Sequence, residues 1–464
     1  MVQFKSLLTL PIVWFSFLCN GQELPLLKVS DDGGHLVTED NLPFFWLGDT
    51  AWELIHRLNR EEVDIYLEDR AEKGFNVIQT VILAELDGLN TANAFGERPL
   101  IDNDPTKLNE QYFRHVDYVV NKAHELGLYV GLLPTWGDKF NRRGGVGPEI
   151  FDAMNAEVYG RMLAERYRSH TNIIWILGGD RALENANHFA VIRAMAKGIQ
   201  EVDGGQLMTF HPVGARRATD FLDDEWLDFD MYQSGHSSTA KEYSYVVEGR
   251  KETTRRPIIN GEARYENIQD RFWEKESHGW LDDADVRVSA YWTMLAGAAG
   301  YTYGCNDIWQ MYAIDRDPII GARTGWETAL QLPGSRQMKY LKQVFEILPW
   351  HTMKPDQSLI LDENPEDHSY RMAAIGENQK FIVAYSPIGN PVQVDLAKID
   401  ADSITAYWFN PRSGKVKRIG EFETTLKPEF KPWSQGHGSD FLLILVAQGS
   451  TINPSSLNES TVAE

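Results

Sequence analysis

The chain has 464 residues, 43% hydrophobic and 24% charged, the composition of an ordinary globular protein with room for one large domain and a smaller companion. Its formal net charge of -22 at pH 7 repels nucleic acid and anionic membrane surfaces, which excludes both as expected partners.

At the N-terminus, Lys5 precedes an apolar run from Leu7 to Leu18 and then Cys19, Asn20 and Gly21. Charge, length and small residues together predict a cleaved secretory signal over residues 1–21, and hence a secreted or periplasmic protein. Ser16, Phe17 and Leu18 fit a lipid-modified Cys19 poorly. Cleavage would leave Cys305 alone, so no internal disulfide is expected. No other run is apolar for long enough to span a bilayer.

The next residues predict a hairpin, LLKVS and HLVTEDNLPFFW around the turn-forming DDGG, with a second turn at Asp40 and Asn41. Short apolar runs then alternate with helical patterns. The strand candidates are 44–47, 77–83, 128–133, 173–177, 207–210, 229–232, 258–260 and 300–303. Asn59 with Glu62 three residues on predicts a capping box and a helix ending at Gly74. Phe113, Val116, Val119, Val120, Ala123 and Leu126 recur every three or four residues, a helix capped by Asn109 and stopped by Gly127. Eight buried strands joined by helices specify an α/β fold, a (β/α)8 TIM barrel over residues 22–355 with its site at the C-terminal strand ends.

Beyond Pro355 the runs SLILDE, YRMAAIG, KFIVAYSP, SITAYWFNPRSG and DFLLILVA are short, alternating and divided by turns. They predict a small C-terminal antiparallel β-sandwich over residues 356–448, without a catalytic constellation and packed against the barrel. The Ser-, Asn- and Thr-rich residues 449–464 are expected to be a disordered tail.

Two strand tips carry the chemistry. RPIINGEARYE delivers Glu262 just past the seventh strand, and NIIWILGGDR delivers Asp180 just past the fourth. A lone acid at a strand end is as readily a structural ion pair as a functional group. Two at equivalent ends of one barrel face a common cavity, which is what hydrolysis of a glycosidic bond requires: an acid for the leaving oxygen and a carboxylate to attack or to activate water. For a retaining reaction the carboxyl groups would stand about 5 to 5.5 Å apart. Asp180 would need a pKa raised by burial or by Glu262, while Glu262 would stay ionised with donors expected from Tyr232 and Arg264.

The other strand ends supply Asp49 and Trp52, Glu85, Trp136 and Asp138, His211, Tyr232, Gln233 and His236, Arg264 and Trp309. Aromatic faces cover the C–H faces of sugars, and carboxylates and amides bind hydroxyls, so all are expected to contact substrate; Asp49 and Asp138 could instead cap helices. An acidic glycan is admissible only where Arg142, Arg143 or Arg264 gathers at the site. The twelve histidines show no H-x-H or H-E-x-x-H spacing, and RRGGVG matches neither glycine fingerprint, so no metal and no cofactor is expected.

The segments FFWLGDTAWEL, KGFNVIQTVILAE, GLYVGLLPTWGDK, NIIWILGGDR, RPIINGEARYE and AGYTYGCNDIWQ resemble those of glycoside hydrolase family 140, the bacterial apiosidases. The resemblance implies release of apiose from rhamnogalacturonan II side chains of plant pectin, with Asp180 as acid/base and Glu262 as nucleophile. The chain departs from the wider clan, whose fourth strand usually ends in Asn-Glu, by having Gly179 and Asp180 there. The alternatives are another plant-polysaccharide glycosidase of the same clan, exo or endo, and a non-catalytic glycan-binding protein.

Overall fold

The computed structural model describes residues 24–460 except 203 and 253, so the expected signal lies outside the described residues. All eight barrel strands form, as Trp46–Thr50, Val77–Leu83, Tyr129–Thr135, Ile173–Gly178, Met208–His211, Asp230–Gln233, Ile258–Glu262 and Gly300–Cys305. Seven neighbouring pairs join in parallel in the order 5-4-3-2-1-8-7-6. Strands five and six close the ring through the residues leading into strand six, where the Asp228 N–H donates to the Met208 carbonyl at 2.9 Å and side chains add two further bonds. Asp228 Oδ2 accepts from the Met208 N–H at 2.7 Å, and the Thr209 hydroxyl donates to the Phe229 carbonyl at 2.6 Å. The short strand Arg216–Arg217 adds antiparallel to strand six.

Alternation along the strands divides the core. Trp46, Val81, Leu133, Ile176, Met231 and Ile259 fill the barrel interior. Their neighbours Leu47, Ile82, Leu132, Leu177, Tyr232 and Ile258 face the helices. This period of two is the geometry of a strand buried on both faces.

The helix caps form where the sequence places them. Asn59 and Glu62 make a reciprocal capping box on Arg60–Glu72, and Asn109 caps Glu110–Glu125. The N-terminal hairpin pairs Leu27–Val29 with Leu36–Thr38, and Pro43–Phe44 adds a third strand.

The C-terminal domain is a six-stranded antiparallel sheet, with strands Met353–Pro355, Met372–Gly376, Phe381–Ser386, Phe441–Ala447, Ser403–Phe409 and Val416–Glu423 in that spatial order. The opposing layer is reduced to a two-stranded ribbon, Val392–Gln393 with Glu429–Phe430. SLILDE, expected as a strand, is instead one 3-10 turn and a single bridge from Ile360 to Val394. Asp356 accepts from the Ser358 N–H and so turns the chain before a strand can start.

One sheet face rests on the barrel. Tyr385 stacks on Tyr291 at 4.6 Å, and the buried Arg287 donates to Asp440 from Nε at 3.0 Å and Nη2 at 2.8 Å. Beyond Gly449 the chain forms a 3-10 turn at Pro454–Ser456 and a helical turn at Leu457–Ser460. The Asn458 side chain accepts from the Val416 N–H and donates to the Val416 carbonyl, and Leu457 is buried against the main core.

Candidate active site

Asp180 and Glu262 line one cavity of about 820 Å³ at the C-terminal ends of the barrel strands. Each tip owes its shape to local sequence. On the fourth strand Gly178 and Gly179 take φ of 95° and 113°, and Asp180 follows at 48°. A Cβ at Gly178 would meet the His211 carbonyl and Phe210, and one at Gly179 would meet Trp136, so only the Gly-Gly pair lets the chain turn here.

On the seventh strand the register against strand six slips by one residue, Tyr232 pairing Asn260 and Gln233 pairing Glu262. The extra residue is Gly261. Asn260 faces outward, donating to Thr293 on a surrounding helix, and strict alternation would send Glu262 the same way. The bulge reverses the alternation and aims the carboxylate inward.

Three side chains surround that carboxylate. The Tyr265 hydroxyl donates to Oε1 at 2.6 Å and accepts from Trp52 Nε1 at 3.1 Å. Gly304, beside Tyr265 in register, leaves room for the phenol, since a Cβ there would lie 2.1 Å from the ring. His211 Nε2 stands 3.1 Å from Oε2 and His236 Nε2 stands 3.3 Å from Oε1. The Asp180 N–H donates to His211 Nδ1 at 3.3 Å, which leaves the ring proton on Nε2, facing Glu262. One imidazole thus ties the two strand tips together. His236 Nδ1 is 3.0 Å from the Ala263 carbonyl, so both its nitrogens face oxygen.

The two acids are tuned in opposite directions. Burial works against charge on Glu262, but hydrogen bonding from His211 and His236 outweighs it and holds the carboxyl well below its usual range. Asp180 is raised, first by burial and then by the negative charge of Glu262, against opposing Arg181, His211 and His236. Arg181 links Asp180 Oδ2 at 3.1 Å to Glu85 Oε1 at 3.5 Å. Glu85 is pushed up to about 8 by burial, with Arg181 pulling down and Asp180 and Asp138 pushing up.

Of the expected substrate contacts, Trp52, Glu85, Trp136, Gln233, His236 and Trp309 line the cavity, while His211 lies buried behind its wall against Glu262. Four others face away. Asp49 points into the helix layer, accepting from Tyr66 and Arg70 at 2.5 Å each. Asp138 accepts from Lys139 and from the Gly147 N–H, and so fastens the 142–147 loop. The Tyr232 hydroxyl meets Thr293 and the Glu242 carbonyl, and its ring stacks on Tyr245. Arg264 pairs with Glu242 at 2.6 Å, both buried. The expected donors Tyr232 and Arg264 are therefore replaced at Glu262 by Tyr265, His211 and His236. Arg181, Phe272 and Trp273 also line the cavity and carry no periodic signal in the sequence.

A barrel with two oppositely tuned carboxyls in one aromatic-lined cavity is the architecture of a glycoside hydrolase. Residues 30–352 match the family model of the apiosidase-like catalytic domain, and the chain belongs to that family. Residues 354–446 match a family whose name refers to collagen binding in a collagenase. Two solved structures are each 33% identical to this chain. One, titled a glycoside hydrolase, has a TM-score of 0.84 and is matched over 92% of this chain and 98% of its own. The other, titled a family 5 glycoside hydrolase from Bacteroides vulgatus, has a TM-score of 0.85 with coverage of 94% and 96%. No curated protein matches the chain. The enzyme is a glycoside hydrolase that binds carbohydrate; among the described residues no helix is long and apolar enough to cross a membrane.

Proposed function

We propose that the enzyme is a retaining, exo-acting apiosidase that releases apiose from rhamnogalacturonan II side chains of plant pectin, outside the cytoplasm as the N-terminal signal implies. The observation that carries this reading is the opposite tuning of Asp180 and Glu262 across His211. Asp180, protonated, gives its proton to the glycosidic oxygen while the Glu262 carboxylate attacks the anomeric carbon. The C–O bond to the leaving sugar breaks and a glycosyl ester on Glu262 forms.

Ester formation removes the charge on Glu262 that helps raise Asp180, so the Asp180 pKa falls, the carboxylate stays ionised after giving up its proton, and it serves as base. It takes a proton from water, the hydroxyl adds to the anomeric carbon, and Glu262 departs as a carboxylate held by Tyr265 and the two histidines. The substrate assignment is supported by the match of residues 30–352 to the apiosidase-like family. Exo action is supported by a cavity whose inner lining of Trp52, Trp136 and Tyr265 is almost fully buried.

The test is incubation with rhamnogalacturonan II oligosaccharides and identification of the released monosaccharide. Apiose is expected; a different monosaccharide or internal cleavage products would replace this substrate and mode. Glu262→Gln should lose several orders of magnitude of turnover and retain glycan binding, whereas activity within about tenfold of the parent would remove Glu262 from the mechanism.

A further inference from the structure

The cavity has a closed end and an open one. Trp52, Trp136 and Tyr265 at the closed end are 1%, 2% and 2% exposed, whereas Phe272 and Trp273 at the mouth are 38% and 57% exposed. These two rings meet edge to face at 5.1 Å. Phe272 is 6.2 Å from the ring of His236, which itself contacts Glu262. The platform is thus one ring away from the nucleophile.

The segment that carries the rings is braced. Asp270 accepts from the Ser238 N–H at 3.0 Å and the Ser238 hydroxyl at 2.6 Å, and its own N–H donates to the Gly279 carbonyl. The Arg271 N–H donates to the His236 carbonyl, and Gln269 bridges to Trp280. Arg271 sits at φ 51°, a left-handed conformation disfavoured for a long side chain, immediately before the two rings. Large apolar rings held in water by a strained and tied turn beside a cavity form a preorganised contact surface.

We propose that Phe272 and Trp273 form a stacking platform for a sugar ring on the leaving side of the scissile bond. This rests on the exo reading above. A released terminal sugar occupies the closed end, and the rest of the glycan must leave through the mouth, where these are the exposed rings. The volume agrees, because about 820 Å³ lies in the upper range for ligands much larger than one five-carbon sugar of ten heavy atoms. Ring faces stack on the C–H faces of a sugar whatever its hydroxyl pattern, so the platform selects for a glycan leaving group over a small one.

The test compares Phe272→Ala/Trp273→Ala with the parent on a rhamnogalacturonan II oligosaccharide and on apiosyl fluoride, whose leaving group has no ring. The ratio of kcat/KM for oligosaccharide over fluoride should fall about tenfold or more, mainly through KM for the oligosaccharide. Oligosaccharide added to Glu262→Gln should change tryptophan fluorescence, and Trp273→Phe in that background should diminish the change. An unchanged ratio, or equal losses on both substrates, would overturn the platform while leaving the apiosidase reading intact. A parent that neither binds nor cleaves either substrate would overturn both.

Discussion

Removing the positive charge of Arg181 should move the working range of Asp180. Its Nη1 lies 3.1 Å from Asp180 Oδ2 and favours the carboxylate over the acid. Unit charges at that spacing attract by about 1 kcal/mol in water and about 5 kcal/mol at an effective dielectric of 20. A third of the Asp180 side chain is exposed, so solvent screening places the pair toward the lower end, about 1 to 2 kcal/mol or about one pKa unit. Arg181→Met keeps the stem packed on Gly137 and removes the charge. Asp180 acts as acid while protonated, and loss of the cation raises its pKa further. The basic limb of kcat/KM should therefore move up by about one unit in a profile from about pH 4 to 10. Because Glu85 also faces Arg181, the profile is repeated in a Glu85→Gln background, where the same upward shift is expected. A limb that stays in place or moves down would refute the role of Asp180 as proton donor.

Asp180→Ala should slow substrates with poor leaving groups far more than activated aryl glycosides, and comparable losses on both would direct the search for the donor to Glu85. Arg264→Met leaves the Glu242 carboxylate buried without its partner, which should destabilise the fold by about 3 to 5 kcal/mol in chemical denaturation. KM should change little, and a large rise in KM at unchanged stability would return Arg264 to the site. Glu85 has a folded pKa of about 8, above its ordinary value, so its contribution to stability is full in acid and declines as pH rises toward 8. Glu85→Gln should therefore raise Tm more at pH 8 than at pH 4.5; the reverse order would contradict the raised pKa.

Much of this organisation is legible in the sequence because it is written in runs and periods. Apolar runs ending in polar residues mark the eight strands, and Asn59 with Glu62 marks a helix start by a local bond. The direction of a side chain at a strand tip is not written there. Asp49, Tyr232 and Arg264 lie beside true cavity residues yet face outward, and Glu262 faces inward because Gly261 adds one residue to its strand. Such a bulge depends on how strands six and seven pair. His236 and Phe272 reach the site through loops whose shape is set by contacts far apart in the chain, such as Asp270 with Ser238. The tail beyond Gly449 reads as polar, and its Asn458 accepts from the Val416 N–H on an edge strand, a contact no local pattern announces.

The central claim is that Glu262 attacks the sugar, and trapping the covalent intermediate tests it most directly. A 2-deoxy-2-fluoro glycoside of the released sugar with a good leaving group destabilises both transition states and should accumulate the glycosyl-enzyme. Mass spectrometry of the digested protein should then find the added sugar on the peptide containing Glu262, in the parent and not in Glu262→Gln. A label on another residue, or rapid turnover to product of inverted configuration without any label, would contradict the account.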